Sequence, residues 1–223
     1  MKKMMMIAAM MVATLSANAQ FAPGTFSIQP KIGMNLSKVS NMPSIGEGSF
    51  KLDRSLLAGA VIGAEAEYQI AKPFSLAAGL QFSMQGCQWE DKDFKIEGEK
   101  IEVKDTKIEL NYINLPIVAN FYLFKGFAIK GGVQFGYLVG ANAKCTQKGG
   151  SYTVSIDESV KDNCNKFDFS IPVGVSYQVP TIPIYIDARA IFGLSDIGKD
   201  KLDNGSSSKN QVFQLTVGYK FAP

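Results

Sequence analysis

Histidine does not occur anywhere in the 223-residue chain. Hydrolytic and acyl-transfer sites generally rely on an imidazole to accept and return a proton near neutral pH. A serine without that base, or without a suitably perturbed lysine, has nothing to take its proton. No enzyme is expected, and neither catalytic residues nor a cofactor are assigned. A strong excess of one charge is also missing. The 23 basic and 20 acidic residues are too balanced to point to nucleic acid as a partner. No internal segment is long and apolar enough to form a membrane-spanning helix. Tryptophan occurs once, as Trp89, and cysteine three times, as Cys87, Cys145 and Cys164. The acidic stretches around 90–99 and 196–203 are interrupted by lysines and lack EF-hand spacing, so they are read as solvated loops.

The first 19 residues have the order of a cleaved signal peptide: basic Lys2-Lys3, an apolar stretch over 4–15, and the small-x-small site Ala17-Asn18-Ala19. Residues 20–223 are then the mature domain. Losing the two leader lysines leaves 21 basic against 20 acidic residues, a net +1. Export places the cysteines in an oxidising setting. Cys145 and Cys164 bracket one loop and are the pair expected to bridge, with Cys87 free; three unpaired thiols is the alternative.

What the chain does have is a period of two. From Phe26 to Ser37 every even position is apolar, Pro30 included, and every odd one is polar or glycine. Successive strand side chains point to opposite faces, so such a ribbon has one apolar and one polar side. Eight ribbons of this kind can be traced. The fourth changes phase: Ile108, Leu110 and Tyr112 share one face, and Ile113, Leu115 and Ile117 the other, which predicts a β-bulge near Tyr112–Ile113. Pro30, Pro116 and Pro172 lack a ladder donor and are expected at bulges or strand ends.

Connections alternate in length. Short turns fall at 71–73, 124–126 and 180–183; long polar segments fall at 38–54, 89–107, 144–166 and 195–210. The fold class expected is all-β: an eight-stranded antiparallel up-and-down transmembrane β-barrel. Its place is the outer membrane of a Gram-negative bacterium, in contact with outer-membrane lipid, with both termini periplasmic. Of 43 charged residues, 30 lie in the four long segments. The strand charges Lys31, Lys130, Arg189 and Lys220, with Glu65, Glu67, Asp168 and Asp187, fall on the polar face and predict a neutral charge network in the lumen. A secreted calycin-type barrel would turn its apolar face inward around a ligand and show the polar face to water. That face is instead crowded with small residues such as Gly33, Gly63 and Gly132, which suit a narrow interior. Aromatics such as Tyr68, Phe121, Tyr177 and Tyr219 collect near strand ends as in an interfacial girdle, and Trp89 is expected to join one.

Several segments resemble the PorT-type family of small outer-membrane barrels, the "porin family". They are Lys31-Ile32-Gly33-Met34-Asn35-Leu36-Ser37, Tyr112-Ile113-Asn114-Leu115-Pro116-Ile117, Gly132-Val133-Gln134-Phe135-Gly136-Tyr137-Leu138, Phe167-Asp168-Phe169, Arg189 with Gly193-Leu194-Ser195-Asp196-Ile197, and Val217-Gly218-Tyr219-Lys220-Phe221. The resemblance implies an OmpA- or OmpX-like eight-stranded barrel, with no catalytic residues to carry over and a founding role in secretion and surface assembly. The expected function is that of a non-enzymatic barrel acting through its long loops, with a surface or secretion-machinery protein as partner, or as a structural component. A small-solute porin is the alternative, disfavoured because side chains fill an eight-stranded interior.

Overall fold

A strand that is apolar on one face satisfies its backbone only by pairing along both edges, and lipid offers no water to an open edge. Eight strands meet this condition by closing on themselves. The computed structural model describes residues 22–42, 44–46, 51–96, 99–149, 152–199 and 207–222. The leader assigned to 1–19 and the acidic run at 200–206 lie outside the described residues. The ring consists of β1 (Phe26–Val39), β3 (Leu57–Ala71), β4 (Phe74–Trp89), β6 (Glu99–Phe124), β7 (Phe127–Gly149), β9 (Phe167–Gln178), β10 (Ile184–Gly193) and β11 (Asn210–Tyr219). All its pairings are antiparallel; neighbours in sequence pair, β1 joins β11, and β4–β6 completes the circle. Three further strands stand outside the ring: β2 (Arg54–Ser55), β5 (Lys92–Ile96) and β8 (Tyr152–Ser159).

The expected fold class is the observed one, and the apolar face is the outward face. Ile32, Ile62, Leu80, Phe135, Val173, Ile186 and Leu215 are all exposed on the outer wall. Gln29, Asn35, Gln81, Gln134, Gln214 and Thr216 are buried inside it. Aromatic pairs mark both rims of the belt. Phe124 stacks on Phe127 at 4.8 Å at the short-turn end, and Tyr137 meets Phe167 edge-on at 5.3 Å at the other. Gly126 sits in the β6–β7 turn at φ +83°, a conformation that favours glycine, and a Cβ there would lie 2.3 Å from the Gln178 carbonyl.

The three prolines differ from expectation. Each lies inside a strand, and each coincides with a short gap in one of its two ladders. Pro30 pairs with Ala64, but contact with β11 is interrupted between the Ile28↔Phe221 bridge and Lys31↔Gly218. Pro116 pairs with Gln134, while the β4 ladder skips from Ala78↔Ile117 to Gln81↔Asn114. Pro172 pairs with Ile191, while the β7 ladder skips from Gly131↔Val173 to Gln134↔Ser170. The missing donor costs a local gap and leaves the strand intact.

The phase change in the fourth ribbon also has a different origin. On β6 Leu110, Tyr112, Asn114, Pro116 and Val118 all face inward without a slip. The register shift beside Tyr112 belongs to the partner strand: Asn111 pairs with Gly140 and Tyr112 with Leu138, so Val139 of β7 is the extra residue. What inverts is the environment. Past the belt the outer wall meets water and the inner wall meets the loops, so the apolar residues move inside. Val39, Leu52, Cys87, Trp89, Phe94, Leu110, Tyr112, Leu138, Cys164 and Ile197 form a buried apolar cap over the lumen. Trp89, expected in a girdle, is only 6% exposed within this cap.

The segments expected as long loops at 89–107 and 144–166 are largely strand. β6 has 26 residues and β7 has 23, against the roughly 9–11 that cross a bilayer. Their surplus, flanked by β5 and β8, forms a four-stranded sheet in the order β5-β6-β7-β8 beyond the belt.

Ile62, paired with Ile32 and Phe82, is 55% exposed near the middle of the belt. Ile62→Arg is expected to destabilise the lipid-embedded barrel by about 2–4 kcal/mol, and Ile62→Leu by much less. Urea unfolding in lipid vesicles measures both; equal tolerance would place this face away from lipid.

Candidate functional site

The lumen is the densest polar region of the chain, and period-two alternation builds it. Glu65 and Glu67 are successive inward positions on β3, as are Asp187 and Arg189 on β10; Lys31, Lys130 and Lys220 face them from β1, β7 and the segment after β11. Arg189 reaches across the lumen to Glu65 with both terminal nitrogens, Nη1 to Oε1 at 2.7 Å and Nη2 to Oε2 at 2.9 Å. Its Nε donates to Asp187 Oδ1 at 2.7 Å. Lys31 Nζ donates to Glu65 Oε1 at 2.5 Å, and Lys130 donates to Asp187. Two-pronged contacts between a guanidinium and a carboxylate are among the stronger hydrogen bonds in proteins.

Nearer the short turns lies a second cluster. Lys220 Nζ is 2.8 Å from Glu67 Oε2 and donates to Tyr122 Oη at 3.0 Å. Tyr122 Oη donates to Glu67 Oε1 at 2.5 Å, and Ser75 and Gln29 donate to the same carboxylate. Toward the cap come neutral amides: Gln81 Nε2 donates to Gln214 at 3.2 Å and Gln134 at 3.4 Å. Asn35 Nδ2 then donates to Ser83 at 2.9 Å.

Of the eight charges expected in the lumen, Lys31, Glu65, Lys130, Asp187 and Arg189 meet in one cluster and Glu67 and Lys220 in another. Asp168 stands apart near the cap and accepts from Ser195 Oγ at 2.8 Å. Tyr122 belongs by sequence to the aromatics expected in the turn-side girdle, but it is buried in the lumen; Tyr185, Gln29, Gln81 and Gln214 carry no expectation from the sequence. Extending each inward phase to its uncharged members would have found them. Tyr185 fits only because its neighbour is Gly218, where a Cβ would lie 2.5 Å from the ring. Among the described residues no three His, Cys, Asp or Glu side chains converge where a metal ion could sit.

The expected Cys145–Cys164 bridge is corrected: all three cysteines are free thiols. Cys145 lies in the part of β7 that pairs with β8, opposite Ile156, whereas Cys164 bridges to Gly198 and is buried in the cap. Among the described residues the segment between them is largely strand, and the two lie on different elements. Burial pushes the Cys164 thiol up, away from the reactive thiolate.

Beyond the belt the polar chemistry is different. Lys100 lies 2.8 Å from Asp93 and 2.7 Å from Glu102, and Lys104 lies 2.6 Å from Glu102. Hydrogen bonds from Lys100 and Lys104 hold the Glu102 carboxyl down to about 2. Lys107 and Lys144 share Glu109 at 2.9 and 3.0 Å. Such exposed pairs hold the sheet's shape and contribute little stability each. At its margin β8 pairs only with β7 among the described residues, and Tyr152, Val154 and Ile156 are 81%, 56% and 47% exposed.

A family model described as "Outer membrane protein beta-barrel domain" matches residues 18–199. No curated protein matches the sequence. Among solved structures the chain is similar to Ail, the attachment invasion locus protein of Yersinia pestis, at 15% identity and a TM-score of 0.43, with 89% of this chain and 99% of that one covered. It is similar to Neisserial surface protein A at 13% identity and a TM-score of 0.43, covering 88% and 97%. The outer membrane protease OmpT of Escherichia coli is similar at 12% identity and a TM-score of 0.38, covering 95% and 99%.

Arg189 is 1% exposed and is the only guanidinium in its cluster. Arg189→Ala leaves Glu65 and Asp187 each short of a partner and is expected to cost about 3–5 kcal/mol in urea unfolding. Arg189→Met combined with Glu65→Gln is expected to cost less than Arg189→Ala. A loss below about 1 kcal/mol for Arg189→Ala would mean that water replaces the guanidinium and the lumen is open to solvent.

Proposed function

This chain belongs to the outer membrane protein beta-barrel domain family, and on that premise we propose that it is a non-enzymatic surface protein whose working part is the β5–β8 sheet beyond the belt. The observation that carries the reading is a contrast. The lumen is filled from Glu67 to the apolar cap, whereas the sheet, anchored to that cap by Phe94, extends past it, and among the described residues β5 and β8 each pair along one edge. A rigid barrel presenting an extended sheet is a scaffold for binding, as loops on a scaffold commonly are. The absence of histidine supports the non-enzymatic part.

The long-segment end faces outward and both termini lie in the periplasm; the leader at 1–19 routes the chain there. Supporting this, the described termini and the short turns share one end of the barrel, with Phe26 opposite Tyr68 and Phe221 opposite Ile28. Short turns are typical of the periplasmic end of bacterial barrels. Within the family, the PorT-type resemblance favours a role in secretion or surface assembly, with a protein partner on the extended sheet or on the loops around it.

Two measurements test the proposal. A membrane-impermeant amine reagent on intact cells is expected to modify exposed Lys95 and Lys148, and to spare exposed Lys72 and Lys125 until the envelope is broken. The reverse pattern would invert the orientation. In planar bilayers the protein is expected to give no steady conductance, because Arg189, Glu65 and the glutamines cross the lumen and the cap covers it. A persistent channel would establish the porin reading in its place.

A further inference from the structure

The ladder between β1 and β3 ends at Ser37↔Leu57. Beyond that pair β1 continues against β11 as far as Val39↔Asn210, while among the described residues β2 pairs only with β4. The wall therefore parts between β1 and β2, leaving a cleft of about 680 Å³. That is within the usual range for small-molecule sites and far more than a bare ion needs.

The cleft is cationic and sits at a defined height. Lys38 continues the outward phase of Met34 and Leu36, and Arg54 shares the outward phase of Leu56. Each is exposed and stands one outward step past the last apolar residue of the belt, on opposite lips. Ser40, Asn41 and Ser55 line the cleft with neutral hydrogen-bonding groups, and among the described residues no acidic side chain lines it. Leu56, 49% exposed, joins it to the belt.

Like Lys209 beside Ser40, these two cations lack, among the described residues, the carboxylate partner that several other cations beyond the belt have. Lys51 is paired with Asp53, Lys100 with Asp93 and Glu102, Lys104 with Glu102, and Lys107 and Lys144 with Glu109. Lys38 and Arg54 have no ion-pair partner among the described residues. At the height where lipid chains give way to headgroups, the anion on offer is phosphate. A guanidinium fork and an ammonium suit its several oxygens, as the Arg and Lys of other phosphate sites do.

We propose that this cleft binds the phosphate-bearing headgroup of an outer-leaflet lipid, with Lys38 and Arg54 on either side of the phosphate and the acyl chains lying along Met34, Leu36 and Leu56. The choice of leaflet rests on the orientation proposed above; the phosphate site itself does not.

The test uses the mature protein folded in neutral detergent, titrated in native mass spectrometry with bisphosphorylated lipid A, with the same lipid stripped of phosphate, and with inorganic phosphate. Lipid A is expected to bind at least tenfold more tightly than its dephosphorylated form. The Lys38→Gln, Arg54→Gln double variant is expected to lose that preference while keeping the heat-dependent gel mobility of a folded barrel. Lys148→Gln, on the far sheet, is expected to keep it. Equal binding of the two lipids, or an unchanged preference in the double variant, would overturn the site. Inorganic phosphate binding as tightly as lipid A would overturn the lipid as its source. Binding in detergent is independent of orientation, so failure here leaves the lysine-labelling result standing, and the converse also holds.

Discussion

Every backbone donor and acceptor within the lipid belt has to be satisfied by another strand, and the β4–β6 pairing is where that condition is met for the last time around the ring. The other features of the barrel follow from this closure. It commits the apolar phase of each strand to the outside and the polar phase to a lumen too narrow to stay empty. It also tolerates local defects of one kind only. Pro30, Pro116 and Pro172 each open one ladder and keep the other, so no strand loses both neighbours at one level.

A closed polar interior creates its own problem, because charges inside it have little water to rely on. Lys31, Lys130, Arg189 and Lys220 solve it by pairing with Glu65, Glu67 and Asp187, and Arg189 does the most by holding carboxylates from two different strands. Pairing of this sort adds less to stability than its number of contacts suggests, since desolvation offsets much of the attraction. Its stronger effect is to penalise any other register of β3 against the rest of the ring. A shift of one residue would turn Glu65 and Glu67 into lipid and strip Arg189 of its partner.

The rule that apolar residues face outward holds only as far as the lipid does. Beyond the belt the same strands reverse, and Leu110, Tyr112, Leu138 and Trp89 turn inward to build the cap. The reversal costs no register on β6, because alternation continues while the solvent on each side changes. As a consequence the lumen ends under an apolar cap, and the surplus of β6 and β7 carries a sheet beyond the belt. Where β1 and β2 part at the same height, the wall leaves the cationic cleft.

Alternation determined the all-β class and the eight ring strands, because residues two apart in one strand record that spacing directly. The small residues on the polar face turned the apolar face outward, and the lengths of the connections set the end at which the short turns lie. The same spacing placed all eight lumen charges on one face, but it could not say that Arg189 meets Glu65 or that Asp168 meets Ser195. Those partners lie on strands that come together only through closure of the ring. The phase change at Tyr112 was legible and its cause was not, since a bulge and a change of solvent write the same pattern of apolar residues. A bridge between Cys145 and Cys164 follows from the sequence only if a loop joins them, and the strand pairing of β7 with β8 sets them on different elements. Tertiary structure decided what lies opposite what, because contact across a barrel depends on strand order and stagger, and neither is written within any single strand.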